Sequence, residues 1–146
     1  MGIVKISEEL HEEIRKSSSV MSRSINSQAE FWMKMGMLAE LNPNLTYAEI
    51  IQQEKLVDNA RENGKYLLGK LRTMESNFEN KVSNSRGKGL FCAFDLDSSS
   101  SRDKLISNME KEGAIILGCG HKSVRFRPHL NILKEDIDIA CDMLDN

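Results

Sequence analysis

Thr46-Tyr-Ala-Glu-Ile-Ile-Gln-Gln-Glu-Lys-Leu-Val-Asp-Asn-Ala60 is the stretch on which the organisation of this chain turns. Thr46 followed three residues later by Glu49 forms a capping box, in which the hydroxyl and the carboxylate each satisfy a backbone N–H that the helix start leaves open. No proline follows until Pro128. Ile50, Val57, Gly64 and Leu71 recur at seven-residue steps, and Ala60, Leu67 and Met74 lie three residues after the last three. The pattern predicts one continuous helix over 47–75. Its stripe lacks consistent e/g charge pairing, so burial on a sheet is favoured over the competing reading, a self-associating coiled coil. Gly64 costs such a helix about 1 kcal/mol relative to Ala, and close packing against a strand is the expected reason for it.

No Gly/Ser/Pro-rich linker flanks this helix, so two modules packed together are expected, joined rigidly near Ile50–Leu56. The boundaries are placed at 1–53 and 54–146. With 146 residues and 40% hydrophobic content the chain can hold one domain or two small ones. A first module of about fifty residues is marginal alone and needs a partner to bury its apolar face. A net charge of -2 gives no global attraction to nucleic acid or anionic membranes. No apolar run reaches the roughly 20 residues of a membrane span, and no signal peptide opens the chain, which points to the cytoplasm. Cys92, Cys119 and Cys141 are widely spaced and read as buried, reduced thiols. His11, His121 and His129 lack zinc-ligand spacing. A Cys119–His121 pair is conceivable as a metal site but is not favoured, and no metal is expected.

Upstream of the long helix, Gly2-Ile-Val-Lys-Ile-Ser7 alternates as a strand does, with Val4 and Ile6 on one side and Ile3, Lys5 and Ser7 on the other. Ser7 is a fitting N-cap, with Glu8 and Glu9 where the helix dipole favours them. The helix is expected to reach Ser19, with Leu10, Ile14 and the Ser17–Met21 turn along one stripe. A second helix opens at Ser24 and runs to about Leu38. Its Ile25, Ala29, Trp32, Met33, Gly36 and Met37 give a broad apolar face, and Asn42-Pro-Asn44 stops it. A lone strand cannot satisfy its own backbone groups, so strand-helix-helix implies two chains pairing their strands into an antiparallel ribbon.

Downstream, Gly89–Leu96 reads as a strand and Arg102–Glu112 as a helix ended by Gly113 at C′. Ala114–Leu117 and Ser123–Phe126 read as two further strands. Lys134–Leu144 reads as a closing helix with Ile137, Ala140, Cys141 and Leu144 inward. The expected fold class is α+β: a ribbon-helix-helix joined by a long helix to a small two-layer α/β sandwich.

Two resemblances sharpen this. Met1-Gly-Ile-Val-Lys-Ile-Ser7, Met21-Ser-Arg-Ser-Ile-Asn-Ser-Gln-Ala-Glu30 and Gly36-Met-Leu-Ala-Glu-Leu-Asn-Pro43 resemble the ParD-like antitoxins of toxin–antitoxin systems, over residues 1 to about 53. Arg23-Ser-Ile-Asn-Ser27 is also similar to the second-helix start of the wider Arc/MetJ class. The resemblance implies a homodimer through the N-terminal strand, with operator DNA and a cognate toxin as partners. It places Lys5 facing the bases, with Ile3 and Ser7 beside it. It also places Ser24, Ile25 and Asn26 at a helix N-terminus whose backbone N–H groups would hold a phosphate. One basic side chain on the ribbon is thin for base readout, and a dimerisation module without DNA affinity is the competing reading.

Leu56-Val-Asp-Asn-Ala60, Gly64-Lys-Tyr-Leu-Leu68, Arg86-Gly-Lys-Gly-Leu-Phe-Cys-Ala-Phe-Asp-Leu96, Gly113-Ala-Ile-Ile-Leu-Gly-Cys-Gly120 and Ser123-Val-Arg-Phe-Arg-Pro128 resemble the small C-terminal domain of class III aminotransferases, the lysine 6-aminotransferases most of all. That family works with pyridoxal phosphate. The resemblance implies that Arg125 stands where a substrate-pocket arginine can meet a carboxylate bidentately, here as a vestigial substrate contact. His129 stands where the family usually has a second proline. The Schiff-base lysine, the acid on the pyridine nitrogen and the phosphate cup belong to a large domain that has no counterpart in these motifs. No catalytic residue and no cofactor are therefore expected of this chain alone. The leading expectation is an antitoxin-like dimer that binds DNA or a toxin and carries a non-catalytic aminotransferase-derived domain. The alternative is a truncated lysine 6-aminotransferase, inactive alone.

Overall fold

The computed structural model describes residues 4–145, the Asp145 side chain excepted. They form five helices and four strands: α1 Glu8–Val20, α2 Ile25–Leu41, α3 Tyr47–Asn77, β1 Val82–Lys88, β2 Phe91–Leu96, α4 Ser99–Lys111, β3 Leu117–Cys119, β4 Ser123–Phe126 and α5 Lys134–Asp145. This is the mixed α+β content expected from the sequence. The chain divides into two compact units, Met1–Gln52 and Gln53–Asn146, with the division inside α3.

In the first unit, the Ser7 hydroxyl caps α1 by accepting from Leu10 N–H at 3.2 Å, and the Ser24 hydroxyl caps α2 by accepting from Ser27 N–H at 3.1 Å. Ile14 and Ser18 are the buried side of α1. Val20 and Met21 lie outside the expected stripe, 80% and 61% exposed. Arg23 N–H bonds to the Ser18 carbonyl, and Ser22 takes a φ of +51°, so the chain reverses before those two side chains can turn inward. Buried Gln28 accepts from the Arg23 guanidinium at 3.3 Å, and that guanidinium also lies 4.2 Å from the Phe31 ring centroid. The link fixes the α1–α2 turn from the α2 side.

The capping box at the start of α3 is formed. Glu49 accepts from Thr46 N–H at 2.7 Å and from its hydroxyl at 2.8 Å. Within the second unit Leu67, Leu71 and Met74 of α3 are buried, as the seven-residue stripe requires, whereas Val57 is 48% exposed.

The sheet order is β1-β2-β4-β3, antiparallel throughout. Cys92, Phe94 and Leu96 alternate inward along β2, and Phe126 and Val124 on β4, the partners of the first two, join them. Met109 of α4 and Ile137 and Cys141 of α5 complete this core with α3. Ala93, Asp95, Ser123 and Arg125 fall on the opposite face by the same alternation.

Three expected elements of the second unit also change. The sheet has a fourth strand, β1, which is polar except for Val82 and so shows no apolar alternation. It lies at the sheet edge with a bulge between Ser83 and Arg86, and Glu75 accepts from the backbone N–H of both Asn84 and Ser85 there. The strand expected at Ala114–Leu117 forms instead at Leu117–Cys119: Ala114 N–H is bonded to the Met109 carbonyl in the turn that ends α4, and of the two isoleucines that follow Ile116 is buried while Ile115 is 87% exposed. Helix α4 starts earlier than Arg102, since the Ser98 hydroxyl accepts from Ser101 N–H at 3.1 Å and makes Ser98 the N-cap.

Candidate functional site

Two regions carry the residues singled out by sequence, one in each unit. In the first unit Ile3 lies outside the described residues. Val4–Ser7 have no hydrogen-bonded strand among the described residues, and Lys5 is exposed. Ser7 and Ser24 are both N-caps, so their hydroxyls serve the helices they open. Ser24 also donates to the Ser27 hydroxyl at 2.8 Å. Ile25 is the first residue of α2, and Asn26 beside it is exposed.

Ile25 and Asn26 line a groove of about 390 Å³ with Val4, Ile6, Leu10 and Trp32. Ile25, Ala29, Trp32 and Met33 of the apolar face predicted for α2 form this groove wall, whereas Gly36 and Met37 of that face do not line it. Trp32 is 37% exposed and Met33 55%, while Met35 is the buried apolar residue of that helix. Val4 at 74% and Leu10 at 43% expose the facing wall.

Glu8, His11 and Glu12 bring their ligand atoms within 4.8 Å of one another on the first turns of α1. Histidine and cysteine spacing does not single this group out, because two of its donors are glutamates. Glu12 already pairs with Arg15 at 3.2 Å, and the positive end of the helix dipole opposes a cation there. Cys92 and Cys141 are buried and Cys119 is half-buried, all three free of disulfides. Burial pushes the Cys92 thiol pKa up.

In the second unit Arg125 sits on β4, paired in register with Ala93 of β2 and Leu117 of β3. Its Nε is buried and has no hydrogen-bond partner among the described residues. The residue lines a cleft of about 280 Å³ with Ile115, Leu117, Arg127, Pro128 and Ile132. Beside it on the same face is a closed polar network that sequence reading did not identify. Asp95 pairs with Arg86 at 2.9 Å and accepts from Ser123 and from the Asn84 amide. Arg86 in turn donates to Ser123 at 3.2 Å. Partial burial pushes the Asp95 carboxyl upward, but hydrogen bonds from Ser123, Asn84 and Arg86, with the guanidinium charge, outweigh this and hold its pKa at about 2. These partners are 9 to 37 residues apart in sequence, so no local motif announces them.

The segment after Arg125 is held from α3. Asn59 donates to the Leu130 carbonyl at 2.7 Å, and buried Asn63 donates to the Ile132 carbonyl at 2.7 Å and to Asn59 at 3.1 Å. His129 is exposed in this loop.

Against this geometry, two family models match the chain. Residues 1–74 match the ParD-like antitoxin of type II bacterial toxin-antitoxin systems, and residues 41–146 match aminotransferase class-III. The matches overlap over 41–74, which holds most of α3. The mitochondrial 4-aminobutyrate aminotransferase of Sus scrofa is 43% identical over 96 residues, 64% of this chain and 19% of that protein. The L-lysine-epsilon aminotransferase of Mycobacterium tuberculosis is 39% identical over 92 residues, 63% of this chain and 20% of that protein. Among solved structures, lysine aminotransferase from M. tuberculosis in the internal aldimine form aligns with a TM-score of 0.64 and 37% identity, over 66% of this chain and 22% of that one. The chain spans about a fifth of the length of the curated relatives it matches.

Proposed function

The chain belongs to the ParD-like antitoxins through residues 1–74 and to the class III aminotransferases through residues 41–146, and we propose that it acts as an antitoxin-like dimer. In this reading the N-terminal strand, residues 2–7, pairs with its copy in a second chain, and the ribbon so formed presents Lys5, with Ile3 and Ser7, to a DNA major groove. Ser24, Ile25 and Asn26 flank a phosphate at the start of α2. The same dimer, or the exposed helix faces beside it, would receive a toxin. Residues 54–146 form an aminotransferase-derived domain without independent catalysis.

The observation that carries this reading is the open apolar groove of the first unit, in which Val4, Ile6 and Leu10 face Ile25, Trp32 and Met33. Fully covering one such side chain is worth about 1.5–3 kcal/mol, and a second copy is the partner that two such modules supply to each other. Light scattering on the purified chain at micromolar concentration is expected to give a dimer of the 16.5 kDa chain, and Met33→Glu is expected to give a monomer. A clean wild-type monomer would overturn the reading.

The family that residues 41–146 belong to implies pyridoxal phosphate. The cleft beside Arg125 offers guanidinium donors and apolar walls, and its lining includes no lysine amine. It suits an anionic group such as a carboxylate, and it offers no amine to condense with the aldehyde of that cofactor. A second reading, a transaminase piece that another chain completes, draws support from the unpartnered Arg125 Nε. Absorbance titration with pyridoxal phosphate separates the two: the antitoxin-like reading expects no internal-aldimine band from this chain alone.

A further inference from the structure

The second unit holds another cavity, of about 350 Å³, which shares no lining residue with the groove of the first unit or with the cleft beside Arg125. Its floor is apolar: Phe78 after α3, Phe94 and Leu96 of β2, and Leu105 of α4. Its mouth carries Lys81 and Lys104. The turn after α3 sets the first of these, with Lys81 N–H bonded to the Phe78 carbonyl at 3.0 Å and Asn80 at a φ of +73°. Helical spacing sets the second. Ser101, Lys104, Leu105 and Asn108 recur at three- and four-residue steps, so one face of α4 lines the cavity.

Both lysines are exposed, neither has an ion-pair partner among the described residues, and no carboxylate is among the residues that line the cavity. An apolar floor below two unpaired ammonium groups complements an anion with an apolar body. The apolar part leaves water, and the charge stays at the solvent edge where its desolvation cost is small. The volume lies at the small end of the roughly 300–1,000 Å³ range of ligand pockets, which sets the size of the guest. We propose that this cavity binds a small organic carboxylate with an aliphatic or aromatic body, the carboxylate resting between Lys81 and Lys104 and the body lying on Phe78, Phe94 and Leu105.

Octanoate is the probe, titrated into the full chain by calorimetry and by amide chemical-shift mapping. Saturable one-to-one binding is expected, with shifts centred on Phe78, Phe94 and Leu105. The K81E/K104E double variant, altered only at exposed positions, should melt like the wild type and bind octanoate at least tenfold more weakly. Octylammonium should give no saturable binding. Octan-1-ol binding as tightly as octanoate would overturn the proposal, since the charge would then be unread. So would shifts confined to the groove of the first unit, unchanged affinity in the double variant, or no saturation.

Discussion

Gly64 of α3 and Gly89 of the β1–β2 turn meet backbone to backbone: a β-carbon on Gly64 would overlap the carbonyl oxygen of Gly89. Gly89 is itself in the left-handed region, with φ +55°. The helix therefore lies on the hairpin at a distance only glycine allows, and the buried Cys92 Sγ closes the same spot, 3.5 Å from the Gly89 carbonyl oxygen. An interior helical glycine, unfavourable by local propensity, is here the condition for packing.

Gly64→Ala should therefore destabilise the second unit although it favours the helix. The gain in propensity is about 1 kcal/mol, and the overlap with a backbone that cannot yield costs more, for a net loss of about 1–3 kcal/mol. Gly69 lies in the same helix, and a β-carbon added there would meet nothing within 4 Å, so Gly69→Ala should stabilise by up to about 1 kcal/mol. Urea denaturation followed by circular dichroism checks the pair, and equal effects of the same sign would refute the account.

Asn63→Ala should cost about 1–3 kcal/mol, because it leaves the Ile132 carbonyl short of its buried donor. Asn59 bonds to the same carbonyl at 3.1 Å and to the Leu130 carbonyl at 2.7 Å, both nearer solvent, so water can replace what Asn59→Ala removes and that variant should cost less. Thermal melting of the two variants ranks them, and the reverse order would show that Asn59 is the main anchor of the loop after Arg125.

Asp95 makes stability depend on acid. Its folded pKa of about 2 lies below the ordinary 3.8, so the carboxylate stabilises the fold fully above about pH 4, and this contribution is lost as pH falls toward 2. Asp95→Asn should lower stability at neutral pH and flatten the profile between pH 4 and 2. Urea midpoints measured across that range test it, and an unchanged slope in the variant would remove Asp95 as the source.

If the ribbon reads the major groove, Lys5→Ala should relax sequence preference at a cost of about 1–3 kcal/mol. Asn26→Asp should weaken binding to every sequence, since it places a negative charge beside a phosphate held at the start of α2. Binding should fall with added salt, though less than for a basic repressor, because few Lys or Arg are available to displace counterions. Mobility shifts with DNA upstream of the chain's own reading frame, at two salt concentrations, check all three. No shift of the wild type at low salt would reassign the first unit to protein binding.

Elements with local signals were legible in the residues alone. The caps at Ser7, Ser24 and Thr46, the stop at Pro43, the Gly113 C′ position and the inward Ile137 and Cys141 of α5 each depend on residues within one or two helical turns, and the structure has them where those residues put them. Strand β1 was not legible: it is a polar edge strand whose existence rests on pairing with β2 and on Glu75 holding its bulge. Nor did the residue order disclose that Ile116 and not Ile115 enters the core, that Val57 faces solvent, or that Asp95, Arg86 and Ser123 meet. At the candidate sites the division is the same. The positions of Ser24 and Asn26 follow from a helix start, whereas the groove that Asn26 shares with Val4 and Leu10, and the unpartnered Arg125 Nε, arise only when distant segments meet. The difference is one of range. Capping and helical periodicity act over a few residues, while strand pairing, burial and ion-pair geometry are fixed by contacts that the order of residues does not display.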